Sequence, residues 1–283
     1  MTKKQKISGV LLAGLFFLVV AFFYHANDYA GKVKGVSEKK EQKAEIIFLD
    51  VGQGDAILIQ EGWTQILIDG GNGQDIMNRL GESMPLGDRK IDMLVATHPD
   101  EDHMGGLVKV LSSYEVGKIL ESDIACDKDL CKKWEELIAA DDISVSDAKL
   151  GQEIDFGQDV ELTVLYPFAD ISGKEFKNTN EASLVIKAVV EGRKYLLTGD
   201  TEDDTERDLV ASNLDLDADV LKVSHHGSKN ATSAEFLQAV SPEQAVISVG
   251  ENSYGHPTEE VLTRLKNMNV EILRTDEKGS VRF

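Results

Sequence analysis

A chain of 283 residues, 42% hydrophobic and 28% charged, can bury one large core or two small ones, as an ordinary globular protein does. Its 50 acidic residues outnumber its 30 basic ones, for a formal charge of −20, which excludes a global basic footprint for nucleic acid. A polyanionic partner would have to be drawn by metal ions and a local patch.

The first residues differ from the rest. Lys3, Lys4 and Lys6 precede an uncharged apolar run over 7–24, the layout of a secretory signal or signal anchor. About 18 residues is just long enough to span a bilayer, and the preceding charges would keep that end cytoplasmic. The small-residue cleavage sites, Ala26 and Ala30, have Tyr24 and Asp28 three from the cut, where a small residue is wanted. Retention as a transmembrane anchor over 1–28 is therefore expected, with the bulk of the chain extracytoplasmic; cleavage of the signal would give a secreted product. A Lys-rich stretch with Gly31 and Gly35 reads as a flexible tether over 29–43. Because residues 1–43 hold eight Lys and three acids, residues 44–283 keep 22 basic and 47 acidic residues, a net of −25.

The folded domain is expected over 44–283. A strand at 44–49 ends in Asp50-Val51-Gly52-Gln53-Gly54-Asp55, and strands at 56–60 and 65–68 follow, the last ending in Asp69-Gly70-Gly71. Short Gly-containing connections make these three antiparallel neighbours. A helix over 75–84 and a strand over 91–96 lead to Thr97-His98-Pro99-Asp100-Glu101-Asp102-His103, after which Gly105 and Gly106 open a helix-like segment over 107–113. A strand at 118–121 and an amphipathic helix at 130–140 come next. Cys126 and Cys131, outside the membrane, read as a local disulfide, with free thiols as the alternative.

The second half repeats this grammar. Strands are expected at 161–166, 184–190 and 195–198, the last followed by Gly199-Asp200, then a helix over 202–212 and a strand at 220–223 ending in Ser224-His225-His226-Gly227-Ser228. Helix 233–240, strand 245–249, helix 258–268 and strands at 271–273 and 281–283 close the chain. The pattern predicts an α/β (α+β) sandwich of two packed mixed sheets with helices outside, four layers in all. Every candidate ligand then sits at a strand end, on one edge of the sandwich.

The spacing of the first cluster has a physical reading. In an extended or loop backbone, positions i, i+2 and i+4 point the same way, so His98, Asp100 and Asp102 converge, and a tight turn returns His103 to the same point. Imidazole with carboxylate suits a divalent transition metal, and four such ligands exceed what one open catalytic ion takes from so short a segment. Two ions are the expectation; a solvated acidic loop with incidental histidines is the alternative. Trp63, Trp134 and the remaining aromatics show no stacking pattern and read as packing.

Taken together, His98-x-Asp100-x-Asp102-His103, Thr198-Gly199-Asp200 and Ser224-His225-His226-Gly227-Ser228 resemble the metallo-β-lactamase superfamily and its αββα sandwich. Phe48-Leu49-Asp50-Val51-Gly52-Gln53-Gly54-Asp55-Ala56 and Tyr254-Gly255-His256-Pro257 look, more narrowly, like the extracellular nuclease-like domain of the ComEC/Rec2 DNA-uptake proteins. The resemblance covers about residues 44–283 and does not extend to the multi-helix channel region of those proteins.

Carried over, it implies a centre of two divalent ions, zinc or manganese. His98 and Asp100 would hold the first ion, Asp102 and His103 the second with His225 or its neighbour His226, and Asp200 would bridge them. Most of the superfamily has a His at position 100 and another about twenty residues before the bridging Asp. Here Asn178-Thr179-Asn180 lies in that region, which makes Asn180 a candidate oxygen ligand or water anchor. Asp102 would orient the attacking water, and His256 would contact the scissile phosphate or protonate the leaving oxygen. Asp50 and Asp69 fit either carboxylates that fix ligand imidazoles or turn residues before Gly. Ser228 and Lys229 fit phosphate binding, with helix capping as the alternative for Ser228.

The leading expectation is a membrane-tethered, metal-dependent phosphodiesterase acting on DNA. A hydrolase of small phosphodiesters or lactones in the cell envelope is a second reading, favoured if no basic groove exists. A non-catalytic metal-binding module is a third, and predicts folding without turnover.

Overall fold

Strands that are apolar at nearly every position must be covered on both faces, and that requirement sets the architecture. In a computed structural model, which describes residues 43–283, the first half supplies β1 (Ala44–Phe48), β2 (Ile57–Glu61), β3 (Thr64–Ile68), α1 (Ile76–Ser83), β4 (Lys90–Ile91), β5 (Met93–Ala96), α2 (Glu101–Leu111), β6 (Glu115–Val116), β7 (Lys118–Glu121), α3 (Asp129–Ala140) and β8 (Ser144–Asp147). The second half supplies β9 (Glu153–Phe156), β10 (Val160–Tyr166), β11 (Val185–Val190), β12 (Arg193–Leu197), α4 (Asp203–Ala211), β13 (Val220–Lys222), α5 (Ala234–Val240), β14 (Gln244–Ile247), α6 (Glu259–Asn267), β15 (Glu271–Arg274), α7 (Thr275–Lys278) and β16 (Val281–Arg282). The anchor expected over 1–28 and, apart from Lys43, the tether over 29–43 lie outside the described residues. Among the described residues no helix is long and apolar enough to cross a membrane.

Two seven-stranded sheets result, in the orders β16-β1-β2-β3-β5-β7-β8 and β15-β14-β13-β12-β11-β10-β9, with β4 and β6 forming a small separate pair. Side-chain alternation sorts each strand between two cores. Ile46 and Phe48 of β1 and Ile66 and Ile68 of β3 meet Ile186 of β11 and Leu197 of β12 between the sheets. Ile47, Leu58, Leu67 and Leu94 point the other way, under Leu80 of α1, Leu107 of α2 and Trp134 of α3. On the second sheet Leu196, Leu221 and Ala245 lie under Leu209 of α4, Phe236 of α5 and Leu265 of α6. The layers therefore run helix, sheet, sheet, helix, as expected, and each buried aliphatic side chain is worth roughly 1.5–3 kcal/mol.

Strand direction puts the expected ligands together. β3, β5, β7 and β8 are mutually parallel, as are β12, β13, β14 and β15. Residues that follow the carboxyl ends of such strands line a common crevice, the usual place for a site in α/β sheets. Asp69 follows β3, His98 follows β5, Asp200 follows β12, and His225 and His226 follow β13.

Several local expectations are corrected. The strand expected over 91–96 is broken at Asp92, whose Oδ2 accepts the Gln65 N–H at 3.0 Å. α2 begins at Glu101, so Asp102 and His103 sit on its first turn rather than in an extended loop, and Gly105 and Gly106 lie inside it. The glycine at 106 serves close approach: a Cβ there would stand 1.8 Å from the Gly70 carbonyl oxygen. β8 and β9 were not anticipated, because Ser144–Asp147 is a largely exposed, polar edge strand and Glu153–Phe156 is only four residues long. The cysteines are joined as the Cys126–Cys131 disulfide. Trp134 is buried as packing predicts, but Trp63 and Tyr254 are 62% and 73% exposed. Packing is not the role of those two.

Candidate metal centre

Three imidazoles converge at the edge of the sandwich with one nitrogen each already held. Thr97 and Ser183 place their hydroxyls 3.0 and 3.1 Å from His98 Nδ1; Asp69 Oδ2 lies 2.8 Å from His103 Nδ1; the Ser248 carbonyl lies 2.8 Å from His226 Nδ1. Such partners fix the ring and leave Nε2 free as a ligand atom. All three Nε2 atoms, with Asp200 Oδ1, are buried without a hydrogen-bond partner. Four orphaned polar atoms at one place are costly unless something binds them. Nitrogen and carboxylate oxygen donors in this number suit a divalent transition ion, so the residues fit a metal centre.

Asp200 is its middle. Its Oδ1 lies 3.2 Å from His103 Nε2, and its Oδ2 lies 3.5 Å from His226 Nε2 and 3.7 Å from His225 Nε2. Asp102 Oδ2 lies 3.4 Å from His226 Nε2. The candidate ligand atoms of Asp102, His103, Asp200 and His226 all fall within 4.8 Å of one another. Beside them, His98 Nε2 lies 3.6 Å from Asp100 Oδ2, and the His98 and His103 rings are 4.2 Å apart. Asp100 Oδ1 faces away, accepting from Lys128 Nζ at 2.6 Å and Thr179 Oγ1 at 2.7 Å.

Of the adjacent pair, His226 is the fully buried member of the cluster. His225 is half-buried, with Nδ1 3.1 Å from Glu202 Oε1. Both have left-handed backbones, φ 47° and 52°, as does Asp69 at 57°. Non-glycine residues in that region cost about 1–3 kcal/mol each and cluster at functional sites. Asn180 turns its amide nitrogen to 3.4 Å from His225 Nδ1. The His256 ring is 5.5 Å from that of His225, and its Nδ1 is buried without a partner. Asp69 also accepts from the Thr97 N–H and hydroxyl at 2.9 and 2.7 Å, whereas Asp50 is paired with Arg79 at 3.2 Å, away from the imidazoles. Ser228 is buried and closes the 3-10 turn Ser224–Gly227, its N–H donating to the His225 carbonyl at 2.8 Å, whereas Ser233 caps the N-terminus of α5, accepting from Phe236 N. Lys229 is exposed.

Sequence reasoning missed a group behind His226. Lys222 Nζ, wholly buried, lies 2.8 Å from Asp55 Oδ2, and Asp55 Oδ1 lies 3.5 Å from His226 Nδ1. The available signal was a lysine at an inward position of a core strand, between Leu221 and Val223.

The charges are strongly coupled. Burial opposes a charged His226, but the carboxylates of Asp200 and Asp102, 3.5 and 3.4 Å from its Nε2, outweigh it and raise it to about 10. Burial likewise opposes charge on His103, yet Asp200 and Asp69 hold it well above its ordinary value. Burial and then His103 push His98 down to about 4. Despite burial, His103 and His226 keep Asp200 well below the usual carboxylate range. Without metal, then, protons on His103 and His226 balance the carboxylates. Raised imidazoles give stability that is complete below about pH 6.5 and lost as pH rises towards 10, whereas His98 gives stability that is lost as pH falls from 6.5 to 4. Thermal melts in chelator are expected to peak near pH 6.5 and fall on both sides. Because metal replaces the protons, stabilisation by manganese should grow from pH 6.5 to 9; a pH-independent increment would contradict these assignments.

A family model described as the metallo-beta-lactamase superfamily matches residues 49–251. The chain is 29% identical over 262 residues to the ComE operon protein 3 of Bacillus subtilis, with 85% of this chain and 33% of that protein covered. It is 32% identical over 246 residues to the competence protein ComA of Neisseria gonorrhoeae, covering 86% and 32%. The chain thus spans about a third of the length of the curated relatives it matches. Among solved structures, the metallo-beta-lactamase fold protein YhfI from Bacillus subtilis superposes with a TM-score of 0.58 at 10% identity, over 85% of this chain and all of that one, a likeness of fold.

Proposed function

The chain belongs to the metallo-β-lactamase superfamily, and from that premise we propose that it is a two-metal phosphodiesterase acting on DNA, held at the outer face of a membrane by its N-terminal apolar segment. The observation that carries this reading is the convergence of His98 Nε2, His103 Nε2, His226 Nε2 and Asp200 Oδ1, all buried and unpartnered. A competence protein among the relatives of this chain favours DNA as the substrate.

His98, Asp100 and Asp200 would hold one ion, and Asp102, His103, Asp200 and His226 the other, with His225 within reach of Asp200 Oδ2. When bound, two ions supply charge neutralisation for an in-line displacement at phosphorus and a nucleophile at neutral pH. The chain's own residues do the rest. Asp102, its side chain 34% exposed against 4% for Asp200, would orient the attacking water. His256 faces the centre from the loop after β14, and a proton on its ring would pass to the leaving oxygen. Burial and then His225 lower its basicity, so the protonated, donating form is favoured only towards acid pH. Lys128 and Thr179 hold the far oxygen of Asp100, so that the near one stays towards His98.

Labelled single- and double-stranded DNA, incubated with the full chain and manganese or zinc, should be cleaved, and chelator should abolish cleavage. Folded, metal-loaded protein that cuts neither would end the DNA reading and move the search to small phosphodiesters and lactones, which the acidic domain would tolerate.

A further inference from the structure

We propose that Tyr254 is a stacking platform for a nucleobase beside the scissile phosphate, so that single-stranded nucleic acid or an unpaired end is the preferred substrate. The inference rests on the phosphodiesterase reading and names its substrate class. His103, His226, His225, His256 and Tyr254 form a continuous row of rings, with successive centroids 5.4, 6.1, 5.5 and 5.8 Å apart. The row starts in the buried metal centre and ends in solvent. Tyr254, 73% exposed, is its outer member and lies at 31° to the His256 ring.

The backbone that presents it is tied down. Asn252 Oδ1 accepts the N–H groups of Tyr254 and His256 at 3.1 and 3.0 Å, while its Nδ2 donates to the carbonyls of Gly250 and His256 at 2.9 and 2.8 Å. Gly255, at φ 77°, makes the reversal that sends His256 inward and leaves Tyr254 outside. A rigid aromatic held open to water at the mouth of a site offers contact area with little ordering cost on binding. Base-on-aromatic stacking is also the recognition least dependent on positive charge, which suits a domain of net charge −25. Bases inside a duplex are stacked on each other and must be unstacked to reach Tyr254. That cost is absent in a single strand.

The full chain in detergent, with manganese, is compared with Tyr254→Ala and Tyr254→Phe on a single-stranded oligonucleotide and on the same oligonucleotide made abasic around the cleaved bond. Tyr254→Ala should raise KM on the intact strand about tenfold or more with kcat little changed, leave the abasic strand unaffected, and be rescued by Tyr254→Phe. Quenching of 2-aminopurine in the strand on binding to Asp200→Ala protein should likewise need Tyr254. Equal losses on both strands, or quenching that survives Tyr254→Ala, would overturn the stacking role. Tyr254-dependent quenching in a protein that hydrolyses no phosphodiester would uphold stacking and sink the enzymatic reading instead.

Discussion

Asp200→Ala is expected to lose metal-dependent hydrolysis by on the order of a thousandfold and to stay folded. Among the described residues, Asp200 is the one carboxylate within 4 Å of three imidazoles, at 3.2 Å from His103, 3.5 Å from His226 and 3.7 Å from His225. Removing it therefore weakens both halves of the centre together. Folding should survive because the buried imidazoles left behind can shed their protons, which a paired lysine could not do as cheaply. The backbone also keeps its anchor, since the N–H of residue 200 donates to Ser183 Oγ at 3.2 Å. In chelator the fall in stability above pH 6.5 should flatten, because the charge that raised His103 and His226 is gone. Calorimetric titration with manganese, melts from pH 4 to 10 and DNA cleavage read these outcomes separately. Turnover above a tenth of the parent's would remove Asp200 from the centre.

The two-sheet sandwich was legible because its strands are short runs of Ile, Leu and Val with turn residues between, and period-two burial needs no more information than that. The metal run was legible for a different reason: imidazoles and carboxylates crowded into residues 98–103 form a donor set that suits a divalent ion and little else. What sequence could not supply was direction. Extended spacing brings His98, Asp100 and Asp102 to one side, but Asp102 and His103 reach the centre from the first turn of α2, whose Gly106 rests against Gly70. The choice between His225 and His226 likewise depends on two consecutive left-handed residues, a conformation that no local pattern announces. Thr97, Ser183 and Ser248 are ordinary residues in sequence and act only through where the two sheets place them. The polar edge strand β8 had no apolar signal at all beyond Val145.

Lys222→Met is expected to cost about 3–5 kcal/mol of stability, roughly 10 °C in the melting midpoint, although Lys222 contacts none of the proposed metal ligands by hydrogen bond. Its side chain enters the space between the sheets from β13, and Asp55 enters from the connection between β1 and β2, so their 2.8 Å pair joins the two halves of the sandwich behind His226. Both groups are almost wholly shielded from water, and Lys222 Nζ also donates to the Val223 carbonyl at 2.9 Å. Methionine fills the volume but leaves the Asp55 carboxylate buried without its counter-ion, and that uncompensated charge, not the lost contact, is the source of the cost. Replacing both residues, Asp55→Asn with Lys222→Met, removes the charge as well as the lysine and should recover most of the loss. The same comparison separates support of the fold from support of the site. Neither substitution touches the Ser248 carbonyl, which stands 2.8 Å from His226 Nδ1, so manganese affinity should return along with stability in the double variant. A single variant that melts within about 1 kcal/mol of the parent would mean that Asp55 is neutralised by a proton and that the sheets are joined by packing alone.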